Sequence, residues 1–314
     1  MSDLNENRKV ETPQQQGQAA PVSWKTKLAD YLRKEPRDLP PMPKASRKRL
    51  GEFSEGTDEI TRLGYRVPFV DSLRGLSIIA MVLYHFAYDV CTFGFFEGTG
   101  FNRFIGSIFY SESMEYWLFG FQMLFVFVSG ISCNYSRNNF RRALKLFFAA
   151  MIITIGSAIF FGPSGAIYFG ILHFLCVAAL IYAVCHKYCD FLFERVNLAV
   201  YLFLFVVFVI LTSRYQFEPL YLNLFGLRLE VPYFITGFTP YGFTAPDFFG
   251  IFPWILLYFC GVVFGRYMKQ GVIPDNWYKF RIPGLDFVGR NTLLIYIVHQ
   301  PILYGLLYLL DLVL

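Results

Sequence analysis

The sequence predicts an all-α polytopic membrane protein, a bundle of about seven transmembrane helices behind a disordered cytoplasmic tail. Three observations carry that prediction. Hydrophobic residues make up 55% of the 314 residues and charged residues only 16%, well under the roughly one quarter usual in soluble domains. Seven apolar segments follow one another after residue 66, each near the ~20 residues that a ~30 Å hydrocarbon core requires. Basic residues gather at alternate connections between them, as a chain of regular inside-outside topology should show.

Residues 1–66 are polar and rich in Pro and Gln, with no run that could span or build a core; they are expected to be disordered. No short apolar stretch with a small-residue cleavage site precedes the first segment, so a removable signal peptide is not expected. Within the tail, over residues 22–34, Trp24, Leu28, Tyr31 and Leu32 recur at helical spacing among Lys25, Lys27, Arg33 and Lys34. That pattern fits a helix lying on an anionic membrane surface, or a basic linker that binds nothing.

The transmembrane domain covers residues 67–314, and its spans are expected at 68–90, 116–135, 143–161, 166–185, 197–212, 248–268 and 286–310. The turn with Arg137, Arg141, Arg142 and Lys145 is basic, as is the link with Arg266, Lys269, Lys279 and Arg281, whereas residues 91–115 hold Glu97, Glu112 and Glu115 against Arg103. The positive-inside rule then puts the N-terminus in the cytoplasm and the C-terminus outside the plasma membrane. The same topology accounts for the net charge of +5, which is no sign of a nucleic-acid partner.

The first span carries a polar stripe. Arg74 and His85 are eleven residues apart, about 1100° at 100° per residue and so within ~20° of three whole turns. Asp71 and Asp89 fall within ~60° of the same line. Ionisable groups inside a membrane cost roughly 2.5–3.5 kcal/mol each, so the stripe points to a reacting centre or a buried network. Asp89, four residues after His85, could orient the imidazole. By the expected topology His85, Gln122, His173 and His299, from four different spans, lie at comparable depth in the outer half. Arg74 lies ~16 Å below His85, near the inner face. A lone membrane histidine is often an interhelical hydrogen-bond partner; for His173 and His299 that reading stands beside the functional one. Cys185-His186-x-x-Cys189 has no standard zinc spacing and no evident fourth ligand, so no metal is expected. The six cysteines do not suggest a structural disulfide, since only Cys91 is placed near the outside.

These residues also carry a family resemblance. Phe69-Val70-Asp71-Ser72-Leu73-Arg74-Gly75-Leu76, leading to Tyr84-His85-Phe86, resembles the opening helix of integral-membrane acyltransferases related to the acyltransferase-3 superfamily, whose Arg and His have ten residues between them. Phe125-Val126-Phe127-Val128-Ser129-Gly130 resembles the second helix. The stretches Phe169 to Leu175, Phe252-Pro253-Trp254 through Gly265-Arg266, and Gly289-Arg290-Asn291 through His299-Gln300-Pro301 are similar to bacterial members of the heparan-α-glucosaminide N-acetyltransferase catalytic-domain family. The resemblance implies transfer of an acyl group, usually acetyl, from cytoplasmic acyl-coenzyme A to an amine or hydroxyl of a sugar or glycolipid on the far side. It implies acetyl-coenzyme A as co-substrate. Larger members have ten or eleven helices, so seven would be a minimal core.

On that reading His85 is the base or acyl carrier, and Asp89 or Asp71 the orienting acid. Arg74, Arg137, Arg141, Arg142 and Arg290 are candidates for the phosphates of the donor, and Gln122, His173, Asn291 and His299 for the acceptor or the oxyanion. A secondary transporter or flippase would also carry intramembrane titratable groups, but no self-similarity relates residues 68–185 to 197–310. A noncatalytic scaffold would leave the Arg–His register to chance. Association of copies is left open.

Overall fold

The computed structural model describes residues 67–313 except 137, 189–190, 217, 219–220, 225–226, 231–232, 244–246, 270–271, 274–276, 278–279 and 281. The tail with its expected interfacial helix over residues 22–34, and Arg137, Lys279 and Arg281, lie outside the described residues.

The fold is helical, with one small hairpin. In chain order the helices are α1 (Pro68–Thr92), α2 (Gly100–Phe109), α3 (Glu112–Cys133), α4 (Asn139–Phe161), α5 (Ile171–Tyr188), α6 (Phe191–Arg195) and α7 (Leu198–Arg214). After the two-stranded antiparallel hairpin β1 (Tyr221–Leu224) and β2 (Leu227–Glu230) come α8 (Trp254–Lys269), α9 (Leu285–Arg290) and α10 (Thr292–Asp311). Of these, α1, α3, α4 and α10 are each long and apolar enough to cross a bilayer, and α5 and α7 are shorter apolar helices. The protein is a polytopic membrane protein.

Helix direction alternates through the bundle, as side-chain contacts reveal. The start of α1 meets the end of α3 where Arg74 bonds Ser132, while Phe93, just past the end of α1, stacks on Phe161 at the end of α4. Trp254 and Phe264 of α8 pack on Phe119 and Phe127 of α3, so these two helices run parallel. Asp311, at the end of α10, accepts a 2.7 Å hydrogen bond from the Phe96 amide beyond the end of α1. These ends are called the Arg74 end and the His85 end below.

Two close helix crossings fix the frame, and each depends on a pair of glycines. A Cβ on Gly75 would strike the Leu285 carbonyl and one on Gly289 the Asp71 carbonyl, so α9 lies backbone to backbone on α1. Gly130 of α3 and Gly261 of α8 are matched in the same way, against the carbonyls of Tyr258 and Phe127. Small residues at such points let membrane helices approach where larger side chains would hold them apart. Around the second crossing α8 buries twelve of its sixteen residues, as expected of a helix that is apolar on all sides.

The expected span 286–310 is divided into α9 and α10 at Asn291, whose φ of −104° and ψ of 17° leave the helical range. In a continuous helix the Gly289 carbonyl would bond the amide four residues on. Here it accepts from Arg74 Nη1 at 3.2 Å and Thr292 Oγ1 at 2.7 Å, so side chains have taken over the backbone's acceptor. Residues 166–170 and 248–253, counted in the fourth and sixth expected spans, precede α5 and α8 as nonhelical segments.

Candidate functional site

The polar stripe of α1 is confirmed as a helical face, but it serves two separate groups. At the Arg74 end the guanidinium pairs with Asp71 at 2.8 Å and also binds Ser132 Oγ and the Gly289 carbonyl. Three helices are tied by one side chain. A cleft of about 130 Å³ opens here, lined by Asp71, Arg74, Ser132, Tyr135 and Arg290 among others. Arg290 is held by Asp286 at 2.5 Å and remains about a third exposed. Asn291 belongs to this end too, its amide donating to the Phe287 carbonyl at 2.9 Å. Arg142 turns into the bundle instead, toward Cys133 Sγ and the Ser129 carbonyl, while Arg141 is exposed.

At the other end α1 and α10 bring His85 and His299 together. Their rings stand edge to face, with centroids 4.9 Å apart and planes at 76°. Each Nδ1 contacts a backbone carbonyl of its own helix, His85 that of Met81 at 2.9 Å and His299 that of Tyr296 at 2.8 Å. A carbonyl only accepts, so Nδ1 is the protonated nitrogen of both neutral rings and Nε2 keeps its lone pair. The backbone therefore selects the same tautomer twice. His299 Nε2 is buried without a hydrogen-bond partner among the described residues, as are Asp89 Oδ2 and Gln300 Oε1 beside it.

Asp89 is fully buried, and its carboxylate accepts from Gln300 Nε2 at 2.6 Å. The hydrogen bond that was expected to orient His85 thus goes to α10, while the His85 ring is held from behind by Met81. Asp89 influences His85 through its charge alone.

The carboxylate that acts on His85 from outside the helices is Asp247, which the sequence analysis did not single out. Its Oδ2 accepts from the Tyr296 hydroxyl at 3.1 Å, it takes a backbone hydrogen bond from Ile171 at the start of α5, and its charge acts on His85. Gly170 makes the fit: a Cβ there would stand 2.8 Å from Asp247 Oδ2. The residue has a φ of 51°, a left-handed conformation that Asp tolerates better than most side chains, and such departures cluster at working sites. Solvent reaches Asp247, yet crowding by protein raises its carboxyl above the usual carboxylate range, opposed by His85, the Tyr296 hydroxyl and the Ile171 amide. The one sequence-level signal for it was an acid in a Pro- and Phe-rich segment, too common a pattern to single out.

His173 lies apart from this pair in its bonding. Its Nδ1 accepts from the Gly170 amide at 3.3 Å, so Nε2 carries the proton and donates to Thr154 Oγ1 at 3.2 Å, whose hydroxyl passes to the Ile167 carbonyl at 2.6 Å. Both ring nitrogens are engaged in holding residues 166–170 against α4. Gln122 is half-buried on α3, and its amide makes no hydrogen bond among the described residues.

The site as a whole offers two basic imidazole nitrogens, an acid between three helices and solvent access, with a cationic cleft at the far end of α1. Comparison with known proteins gives a match to one family, described as heparan-alpha-glucosaminide N-acetyltransferase, catalytic, over residues 66–301. Neither the curated proteins nor the solved structures contain a match.

Proposed function

The chain belongs to the heparan-α-glucosaminide N-acetyltransferase catalytic family and is a membrane acetyltransferase, and from that premise we propose that it carries acetyl from cytoplasmic acetyl-coenzyme A to a sugar amine or hydroxyl on the outer side, with His85 as the base. The observation that carries this reading is the His85–His299 pair, each ring turned by the contact of its Nδ1 with a carbonyl of its own helix. The charge pattern supports the Arg74 end as cytoplasmic, in the plasma membrane.

In the proposed reaction His85 Nε2 takes the proton of the acceptor amine or hydroxyl as its N or O bonds to the thioester carbonyl carbon. The C–S bond then breaks, and the coenzyme A thiolate leaves with the proton that His85 had received. The thioester is already activated, so the protein's part is to hold both substrates and move that proton. Asp247 stabilises the imidazolium by its charge and ties α5 to α10 through its hydrogen bonds to the Ile171 amide and the Tyr296 hydroxyl. His299 sits where its lone pair can accept from the acceptor or receive the proton from the other side. Arg290 and Arg141 offer charge to the donor's phosphates; Arg74, already bonded to three partners, is better placed to lock α1, α3 and α9.

Purified protein in detergent should release coenzyme A from acetyl-coenzyme A in a manner stimulated by glucosamine, and the product should carry the acetyl group. Absence of both donor binding and thiol release with a panel of amino and neutral sugars would remove this reading, and proton-coupled solute uptake in proteoliposomes would favour the transporter in its place.

A further inference from the structure

We propose, resting on the acetyltransferase reading above, that the acceptor is an amphiphile whose hydrocarbon chain occupies an apolar pocket against the outer part of α1 and whose head is a neutral or amine-bearing sugar. The pocket measures about 430 Å³ and is lined by Leu83, Tyr84 and Ala87 of α1, Ile105 and Ile108 of α2, and Met114 of α3. That volume falls within the ~300–1,000 Å³ of ordinary small-ligand sites. A water-soluble glycan has nothing to bury in such a lining, whereas each methylene of a chain does.

Three further features select an amphiphile with a particular kind of head. First, the pocket shares a wall with the reacting centre: Tyr84 lines it and its ring packs edge-on to His85, with centroids 5.6 Å apart. A head anchored by a chain here lies within reach of the His85 ring. Second, its roof is a surface helix rather than a core one. No residue of α2 is buried, yet Asn102 pins it to the end of α1 by donating to the carbonyls of Val90 and Phe95. Exposed Phe101, Phe104, Tyr110 and Tyr116 surround it, the aromatic composition of a headgroup boundary. Third, the rim is polar and acidic. Ser111 and Ser113 line the opening, and Glu112 and Glu115, both exposed, stand beside them in the first turn of α3. Two carboxylates repel an anionic head at that level and favour an amine or an uncharged sugar.

The test gives the full-length protein in nonionic detergent acetyl-coenzyme A with either methyl or dodecyl β-D-glucosaminide. The dodecyl acceptor should have the higher kcat/KM by ~100-fold or more, the gain from burying only three or four methylenes. Ile108→Trp and Met114→Trp fill the pocket from partly exposed positions, and each should reduce that preference by ~10-fold or more. Partition of the chain into micelles is common to wild type and variants, so the change in the ratio isolates the pocket. Equal kcat/KM for the two acceptors, or a preference that survives both substitutions, overturns the proposal and leaves the pocket an annular-lipid contact only. Transfer to the methyl acceptor without chain preference leaves the acetyltransferase reading intact; no transfer and no thiol release with either removes that reading and this inference with it.

Discussion

His85 and His299 stand edge to face with ring centroids 4.9 Å apart, each ring fixed from behind by a carbonyl of its own helix. The pair is the point from which the activity can be tested most directly.

His85→Ala should lose transfer by ~10²–10⁴-fold, the usual contribution of a positioned base, while acetyl-coenzyme A still binds and the thermal midpoint in detergent stays near that of the wild type. Steady-state transfer beside a thermal-shift scan checks this. Retention of near-wild-type turnover would make His85 structural.

His173→Ala should do the opposite. Its loss breaks the Gly170–His173–Thr154 chain and should lower stability by about 1–3 kcal/mol, read as a lower thermal midpoint, with kcat for the surviving folded fraction changed less than for His85→Ala.

Asp247→Asn should reduce kcat by roughly 10–100-fold, the range expected for losing a charged partner. Since the Asp247 carboxyl is raised above the ordinary range, it is charged at high pH and becomes neutral as pH falls through its own titration. The wild type should therefore lose activity on acidification, and the acid limb of the variant, left to the base itself, should differ from it. A pH profile of kcat/KM for both proteins decides the matter; identical profiles would take Asp247 out of the site.

Arg74→Ala should act first on folding. It leaves Asp71, only 8% exposed, without its ion-pair partner, a change that costs about 3–5 kcal/mol when a buried pair is broken. A falling yield of folded protein with an unchanged KM for acetyl-coenzyme A in the survivors is the expected result. A rise in KM with full stability would return Arg74 to the donor site.

Gly289→Leu should fail to fold, because a side chain there meets the Asp71 carbonyl and Gly75 on α1, whereas Gly305→Leu, on the same apolar tract with open space around it, should be tolerated. Size-exclusion profiles of the two variants distinguish these outcomes.

What the sequence made legible was whatever repeats along one helix. Apolar length located the spans, and the eleven-residue interval put Arg74 and His85 on one face; both rest on the fixed geometry of the α-helix. Partners chosen across the bundle were not legible. Asp89 finds Gln300 two hundred and eleven positions away, and no periodicity links them. Asp247 becomes part of the site only because Tyr296, Ile171 and His85 converge on one loop. The break at Asn291 was hidden for a similar reason: the Gly289 carbonyl beside it is bonded by Arg74, a contact from far along the chain.

The burial of α8 bears on how the protein is made. With three quarters of its length enclosed, this sixteen-residue helix presents little of its apolar surface to lipid in the finished bundle. At ~24 Å, from 1.5 Å per residue, it is also shorter than the ~30 Å hydrocarbon core it has to cross. Its entry into the membrane is therefore coupled to docking on α3, through the matched glycines 130 and 261. The last third of the chain has to be synthesised and inserted against a waiting partner, so biogenesis is completed by assembly of the bundle rather than by helix-by-helix insertion.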